Sequence, residues 1–267
     1  PISLAAEQNQ PLWIRVYAPK GTPPGIYEGT IQLNAEGFAA ETPLRVRVYG
    51  FELPDRATCT SAFGFDAGAV YRYQGLVSPE DQKNVLDKYW ASFRDHRITP
   101  YCSTPGITPS VNWTTRSPEQ CAGLAPEEAK LFQEKALTPV FDWTAWDDEM
   151  QRTFDTFHFN SFRLGIPGIT AGEYQGFPVG SREYELAFNA YGHAVQEHLR
   201  ETGFLDEAYI YWYDEPAKAD YPQVMNGFRQ LKAAVPDIAL MLTEQVDPEL
   251  IGGPNLWCPL ISYYKHD

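Results

Sequence analysis

Hydrophobic and polar positions alternate strictly in the first part of the chain. Leu12, Ile14 and Val16 share one face of residues 12–18, and Trp13, Arg15 and Tyr17 share the other. That period of two predicts a strand. Residues 19–25 (Pro-Lys-Gly-Thr-Pro-Pro-Gly) form a turn by composition. Residues 26–33 and 43–49 predict two further strands, and Arg45 and Arg47 between Leu44, Val46 and Val48 give the second one wet face. Three strands cannot hide an apolar face alone. Residues 1–54 are therefore expected to be the C-terminal part of an antiparallel β-sandwich, with Phe51, Glu52, Leu53 and Pro54 as its linker.

From Ala57 the pattern changes to strands alternating with helices, which predicts a parallel sheet. Short apolar strands are expected at 61–65, 98–102, 160–166, 209–214, 238–243 and 255–258. Between them, 3.6-residue periodicity predicts helices from Ser78 to about Arg97, over 144–157, over 182–202 and over 221–235. Ser78-Pro79-Glu80-Asp81 combines a cap, a proline at the first helical position and an acid three residues after the cap. Residues 103–137 make a Pro- and Thr-rich excursion of a length that commonly serves function. A (β/α) TIM-type barrel takes roughly 250 residues and eight strands. Residues 55–267 supply six, so the expectation is a barrel incomplete at its C-terminus.

Composition narrows the function. Hydrophobic residues make up 43% of the 267 and charged residues 21%, as in ordinary globular proteins. The 35 acids against 21 Lys and Arg give a net charge of −14, which argues against nucleic acid and anionic membrane surfaces as partners. No apolar run approaches the roughly 20 residues of a spanning helix. The first residue is Pro1, so a leader peptide either removed or never included is compatible with the sequence. Cys59, Cys102, Cys121 and Cys258 have no metal-type spacing; Cys102 and Cys121 bracket one loop and are either a disulfide in an exported protein or two of four thiols. His193 and His198 are five apart, which does not match a zincin helix. No Gly-x-Ser-x-Gly elbow occurs, and Phe63-Gly64-Phe65-Asp66-Ala67-Gly68 is a poor phosphate turn.

The candidate chemistry is concentrated at Tyr209-Ile210-Tyr211-Trp212-Tyr213-Asp214-Glu215-Pro216, where β-prone residues run into two adjacent carboxylates and a proline. Neighbouring side chains on a strand point to opposite faces. At a proline-enforced bend that rule relaxes, and both acids can converge at the C-terminal end of the fourth strand, where an α/β barrel keeps its chemistry. Asp-Glu-Pro is equally good helix-start chemistry, and the residues alone leave capping and catalysis open. Trp143, Trp146, Trp212, Tyr213 and Trp257 are candidates to wall a sugar or to fill the core. Glu244 and Gln245 end the fifth strand and are candidates for binding hydroxyls. Asp66 either contacts substrate or caps a turn, and Arg163, in mid-strand, is expected to pair with a buried acid.

Five barrel-side motifs carry a family resemblance: Phe141-Asp142-Trp143, the Arg163-bearing strand, Tyr213-Asp214-Glu215-Pro216, Leu242-Thr243-Glu244-Gln245 and Leu256-Trp257-Cys258-Pro259. Upstream, Leu12-Trp13-Ile14-Arg15-Val16-Tyr17, Pro24-Gly25-Ile26-Tyr27-Glu28-Gly29-Thr30 and Phe51-Glu52-Leu53-Pro54 continue it. In this order the set resembles glycoside hydrolase family 123 together with the end of the sandwich domain that precedes its barrel. The resemblance implies a retaining, substrate-assisted β-N-acetylhexosaminidase, with N-acetylgalactosamine as the sugar for which the family is known. It also implies that the sugar's 2-acetamido oxygen is the nucleophile. Glu215 would be the general acid/base and Asp214 the partner of the acetamido N–H. It implies no cofactor and no metal, a glycan or glycoconjugate as partner, and a secreted or periplasmic setting; oligomeric state stays open. Two alternatives stand beside it. One is a retaining β-glycosidase of the large barrel clan, with Asp214 in the place of the Asn of Asn-Glu-Pro and a nucleophile outside this chain. The other is a non-catalytic carbohydrate-binding barrel.

Overall fold

The computed structural model describes residues 3, 5, 7–170 and 172–263. The chain divides into two compact units, Pro1–Pro54 and Asp55–Asp267.

Among its described residues the first unit contains one antiparallel hairpin, β1 (Gly25–Ala35) and β2 (Phe38–Val48), paired in continuous register from Gly25↔Val48 to Ala35↔Phe38. Its turn needs a left-handed residue, supplied by Gly37 at φ 70°. The strand expected over 12–18 does not form, although its alternation is intact: Trp13 is 91% exposed. A strand has no hydrogen bonds of its own, and among the described residues of the unit no edge pairs with this segment. No described residue of this unit is buried.

The second unit is a mixed α/β fold. Its helices are α1 (Ala67–Tyr73), α2 (Pro79–His96), α3 (Pro126–Glu134), α4 (Thr144–Phe157), α5 (Arg182–Thr202) and α6 (Tyr221–Ala234). Its strands are β3 (Ser110–Thr114), β4 (Thr138–Asp142), β5 (Phe162–Arg163), β6 (Glu173–Tyr174), β7 (Phe177–Pro178), β8 (Ala208–Asp214), β9 (Ala239–Thr243) and β10 (Leu256–Trp257). The main sheet has the order β10-β9-β8-β5, and all its pairings are parallel. Beyond β5, Arg163 N donates to Tyr101 O (2.9 Å), and a parallel bridge joins Phe63 to Pro100. Six extended segments therefore lie side by side in chain order, as they do in a barrel wall. Among the described residues the wall is open, so a closed barrel is not formed.

Side chains bind the first three segments together where the ladder is short. Thr99 N donates to Ser61 Oγ (2.7 Å), Thr99 Oγ1 to Asn160 Oδ1 (2.9 Å), and Ser161 Oγ to Ser61 O (3.0 Å). These bonds serve polar groups whose burial alone would be costly.

The helices follow their sequence signals. Ser78 caps α2, accepting from Asp81 N (3.0 Å), and Ser181 caps α5, accepting from Tyr184 N (3.1 Å). α5 and α6 approach closely at Gly192, where an added Cβ would lie 2.7 Å from the Ala234 carbonyl oxygen. Ile210, Leu240 and Leu242 from the sheet share one core with Leu199, Phe228 and Leu231 of these helices. A second cluster, Ala67, Leu86, Trp90, Phe157 and Phe159, joins α1, α2 and the end of α4. The long excursion is not irregular throughout: β3 and β4 pair antiparallel across α3, and β6 and β7 form a small hairpin in the Gly-rich loop. All four cysteines are free thiols, so Cys102 and Cys121 are not bridged.

Candidate active site

The acid pair lies where β8 departs from regular pairing. Tyr211 faces Met241 and Asp214 faces Thr243, so three steps on β8 match two on β9: a bulge. Glu215 then has φ 41°, a left-handed conformation uncommon for a residue with a Cβ, and Pro216 is buried. Bulge and turn together replace the alternation that would have sent the two acids to opposite faces. Asp214 does not cap a helix; it ends its strand.

Thr243 is the hub of this corner. Its hydroxyl accepts from Glu215 N (3.2 Å) and donates to Asp214 Oδ1 (3.0 Å). The Tyr211 hydroxyl also donates to Asp214 Oδ1 and lies 3.2 Å from Thr243 Oγ1. Burial raises the Tyr211 pKa, and the bond to Asp214 raises it further, so the phenol stays a donor. One oxygen of Asp214 is thus held, and Oδ2 has no hydrogen bond among the described residues. No hydrogen bond to the Glu215 carboxylate occurs among the described residues, and both acids are exposed. Neither Tyr211 nor Thr243 stood out in the sequence. The signal was present in Thr243 ending a strand that neighbours Asp214, but register is a property of the sheet.

A cleft of about 780 Å³ opens beside this corner, within the size range of small-ligand sites. Cys102, Arg163, Leu164 and Tyr211 line it, with Trp143 and Trp146 from the start of α4. Tyr211 joins the cleft to the acid pair.

The remaining candidates are dispersed. Trp143 does not end a barrel strand; it follows the β3–β4 hairpin, stacked by Phe141 (4.5 Å) and by His198 (4.0 Å, 4° between planes). His198 Nε2 in turn meets Asp147 Oδ1 at 2.7 Å. Trp212 also borders the cleft, but its indole presses onto α6, where a Cβ on Gly227 would lie 2.2 Å from its ring. Tyr213 packs edge to face on Trp212 (5.4 Å). Trp257, half-buried on β10, pairs with Leu242 and packs on the core. Glu244 Oε1 accepts from Gln245 N (2.7 Å), turning that carboxylate onto its own loop. Asp66 caps α1 through Ala69 N (3.0 Å). Arg163, expected to pair with a buried acid, instead lies over the Tyr101 ring at 4.7 Å. Among the described residues no cluster of three or more His, Cys, Asp or Glu has metal-ligand geometry, and no helix is long and apolar enough to cross a membrane.

No protein-family profile matches this sequence, and no curated protein matches it. Among solved structures, the chain is similar to a family 123 glycoside hydrolase from Clostridium perfringens, whose structural analysis concerned glycolipid glycan hydrolysis. The TM-score is 0.55 at 14% identity, over 93% of this chain and 46% of that one. The likeness is one of fold. The chain spans less than half the length of that relative.

Proposed function

We propose that this protein is a glycoside hydrolase that releases terminal β-linked N-acetylhexosamine, N-acetylgalactosamine foremost, by a retaining, substrate-assisted mechanism. The observation that carries the reading is the unequal setting of the two acids. Asp214 is held by Tyr211 and Thr243 through one oxygen, and the Glu215 carboxylate has no hydrogen bond among the described residues and projects from a left-handed turn. The fold likeness to a glycan-hydrolysing enzyme supports it, as does the six-segment wall, read as part of a (β/α) barrel with the acids at a C-terminal strand end.

In this mechanism Asp214 Oδ2 accepts the acetamido N–H and orients its carbonyl oxygen toward the anomeric carbon. Attack by that oxygen closes an oxazolinium ring as the glycosidic bond breaks, and Glu215 gives its proton to the leaving oxygen. Water then adds to the anomeric carbon, returning a proton to Glu215 and reopening the ring. No protein nucleophile is needed. Extracellular glycans as substrates would place the protein outside the cell or in the periplasm.

Glu215→Gln, in the protein carrying this chain, is expected to lower hydrolysis of an aryl β-N-acetylgalactosaminide at least about 10²-fold. Unchanged turnover would remove Glu215 from the role. A thiazoline mimic of the ring intermediate should inhibit; covalent labelling by a 2-fluoro sugar would instead favour a protein nucleophile.

A further inference from the structure

We propose that Thr243 is a positioning residue for both acids at once, its one hydroxyl coupling the aim of Asp214 to that of Glu215. The inference rests on the glycosidase reading and adds a residue to it. Thr243 is the last residue of β9 and the register partner of Asp214, so the sheet itself sets the two side by side. Among the described residues, only two side chains hydrogen-bond the pair. Tyr211 reaches Asp214 alone, whereas Thr243 reaches Asp214 at Oδ1 (3.0 Å) and Glu215 at its backbone N–H (3.2 Å). Glu244, the next residue, turns its carboxylate onto Gln245 N and takes no part.

A hydroxyl has one proton to give and lone pairs to accept with. Thr243 gives its proton to Asp214 Oδ1 and accepts the Glu215 N–H, so both of its roles are used. Tyr211 gives its own proton to the same Oδ1. The 3.2 Å approach of the two hydroxyls is then that of two donors sharing one acceptor. Asp214 is oriented through Oδ1, and Oδ2 is the oxygen that the proposed mechanism turns to the acetamido N–H.

The bond to Glu215 acts on the backbone instead. Glu215 has φ 41°, a region that a residue with a Cβ seldom adopts. Holding its N–H fixes the peptide between the two acids, and with it the point from which the Glu215 side chain starts. Threonine suits the task, because branching at Cβ restricts χ1 and keeps the hydroxyl in one direction. Valine has the same shape without the hydroxyl, and serine has the hydroxyl without the branch.

Two substrates separate the acids: 2,4-dinitrophenoxide leaves an N-acetylhexosaminide without a proton, and 4-methoxyphenoxide needs one. In the protein carrying this chain, Thr243→Val is expected to lower kcat/KM for the dinitrophenyl substrate at least about 10-fold, the worth of one hydrogen bond to a charged group. The methoxyphenyl substrate should lose about 3-fold more, because Glu215 is then misaimed as well. Thr243→Ser should recover most of both losses. A merely structural role would give losses independent of the leaving group. Thr243→Ala removes the hydroxyl without filling its place and should follow Thr243→Val. Near-full activity in either variant, equal losses on the two substrates, or Thr243→Ser no better than Thr243→Val would overturn the proposal. Glu215→Gln measured alongside keeps the two readings apart. If it falls and Thr243→Val does not, only the positioning role is lost; if it keeps full turnover, the glycosidase reading of the pair fails and this proposal with it.

Discussion

The two faces of β8 obey different rules. Ala208, Ile210 and Trp212 point to the helices, where Ile210 is 1% exposed and Trp212 lies in the hollow left by Gly227. Tyr209, Tyr211 and Asp214 belong to the opposite side, where each meets another strand: Arg163 is the register partner of Tyr209, and the Thr243 hydroxyl meets both the Tyr211 hydroxyl and Asp214 Oδ1. The helix-facing side is held by contact area, which is non-directional and tolerant of detail. The other side is held by a few directed bonds, which contribute little stability but fix where an oxygen atom is. The packing that stabilises the fold and the site proposed for catalysis thus lie on opposite faces of a single strand.

Substitutions on each face should break that division in measurable ways. The largest effect is expected at Phe228, which is fully buried: Phe228→Ala should cost about 3–5 kcal/mol in chemical denaturation. A loss under about 1 kcal/mol would mean that the helix layer does not carry the fold. Gly192→Ala should cost about 1–3 kcal/mol, because the new methyl meets the Ala234 backbone and α5 must separate from α6. On the opposite face, Tyr211→Phe should cost only about 1 kcal/mol of stability. It should nevertheless reduce turnover of an N-acetylhexosaminide clearly, with kcat falling more than KM rises, since Asp214 loses an orienting donor. An equal fall in stability and no change in kcat would erase the distinction between the faces.

The smallest effect concerns pH. Burial holds Tyr209 protonated in the folded state above the ordinary value of 10.0, whereas the unfolded chain ionises near it. The unfolded state loses its proton first, so stability is complete below about pH 10 and declines as pH rises past it. Tyr209→Phe should make that decline shallower in thermal melts between about pH 9 and 11.

Much of the helix-facing architecture was legible in the residues. Ser78-Pro79 announced α2, 3.6-residue periodicity delimited α4 and α5 at their observed ends, and the apolar runs marked all six parallel segments. These signals are local, or depend only on burying a stripe. The failures share the opposite cause. Residues 12–18 alternate well and still form no strand, because a strand depends on a partner edge. The long excursion hid a hairpin whose halves, β3 and β4, are separated by α3. Trp143 looked like a barrel residue and belongs to that hairpin's exit.

The acid pair shows the boundary most clearly. By itself the sequence determined that two carboxylates end a strand just before a proline, since chain order and proline's missing N–H require no other strand to take effect. Only the tertiary structure decided that the pair is not a helix cap. The bulge against β9, the left-handed turn at Glu215 and the Thr243 hydroxyl between them come from register. Register is settled by the packing of neighbouring strands, and no segment carries it alone.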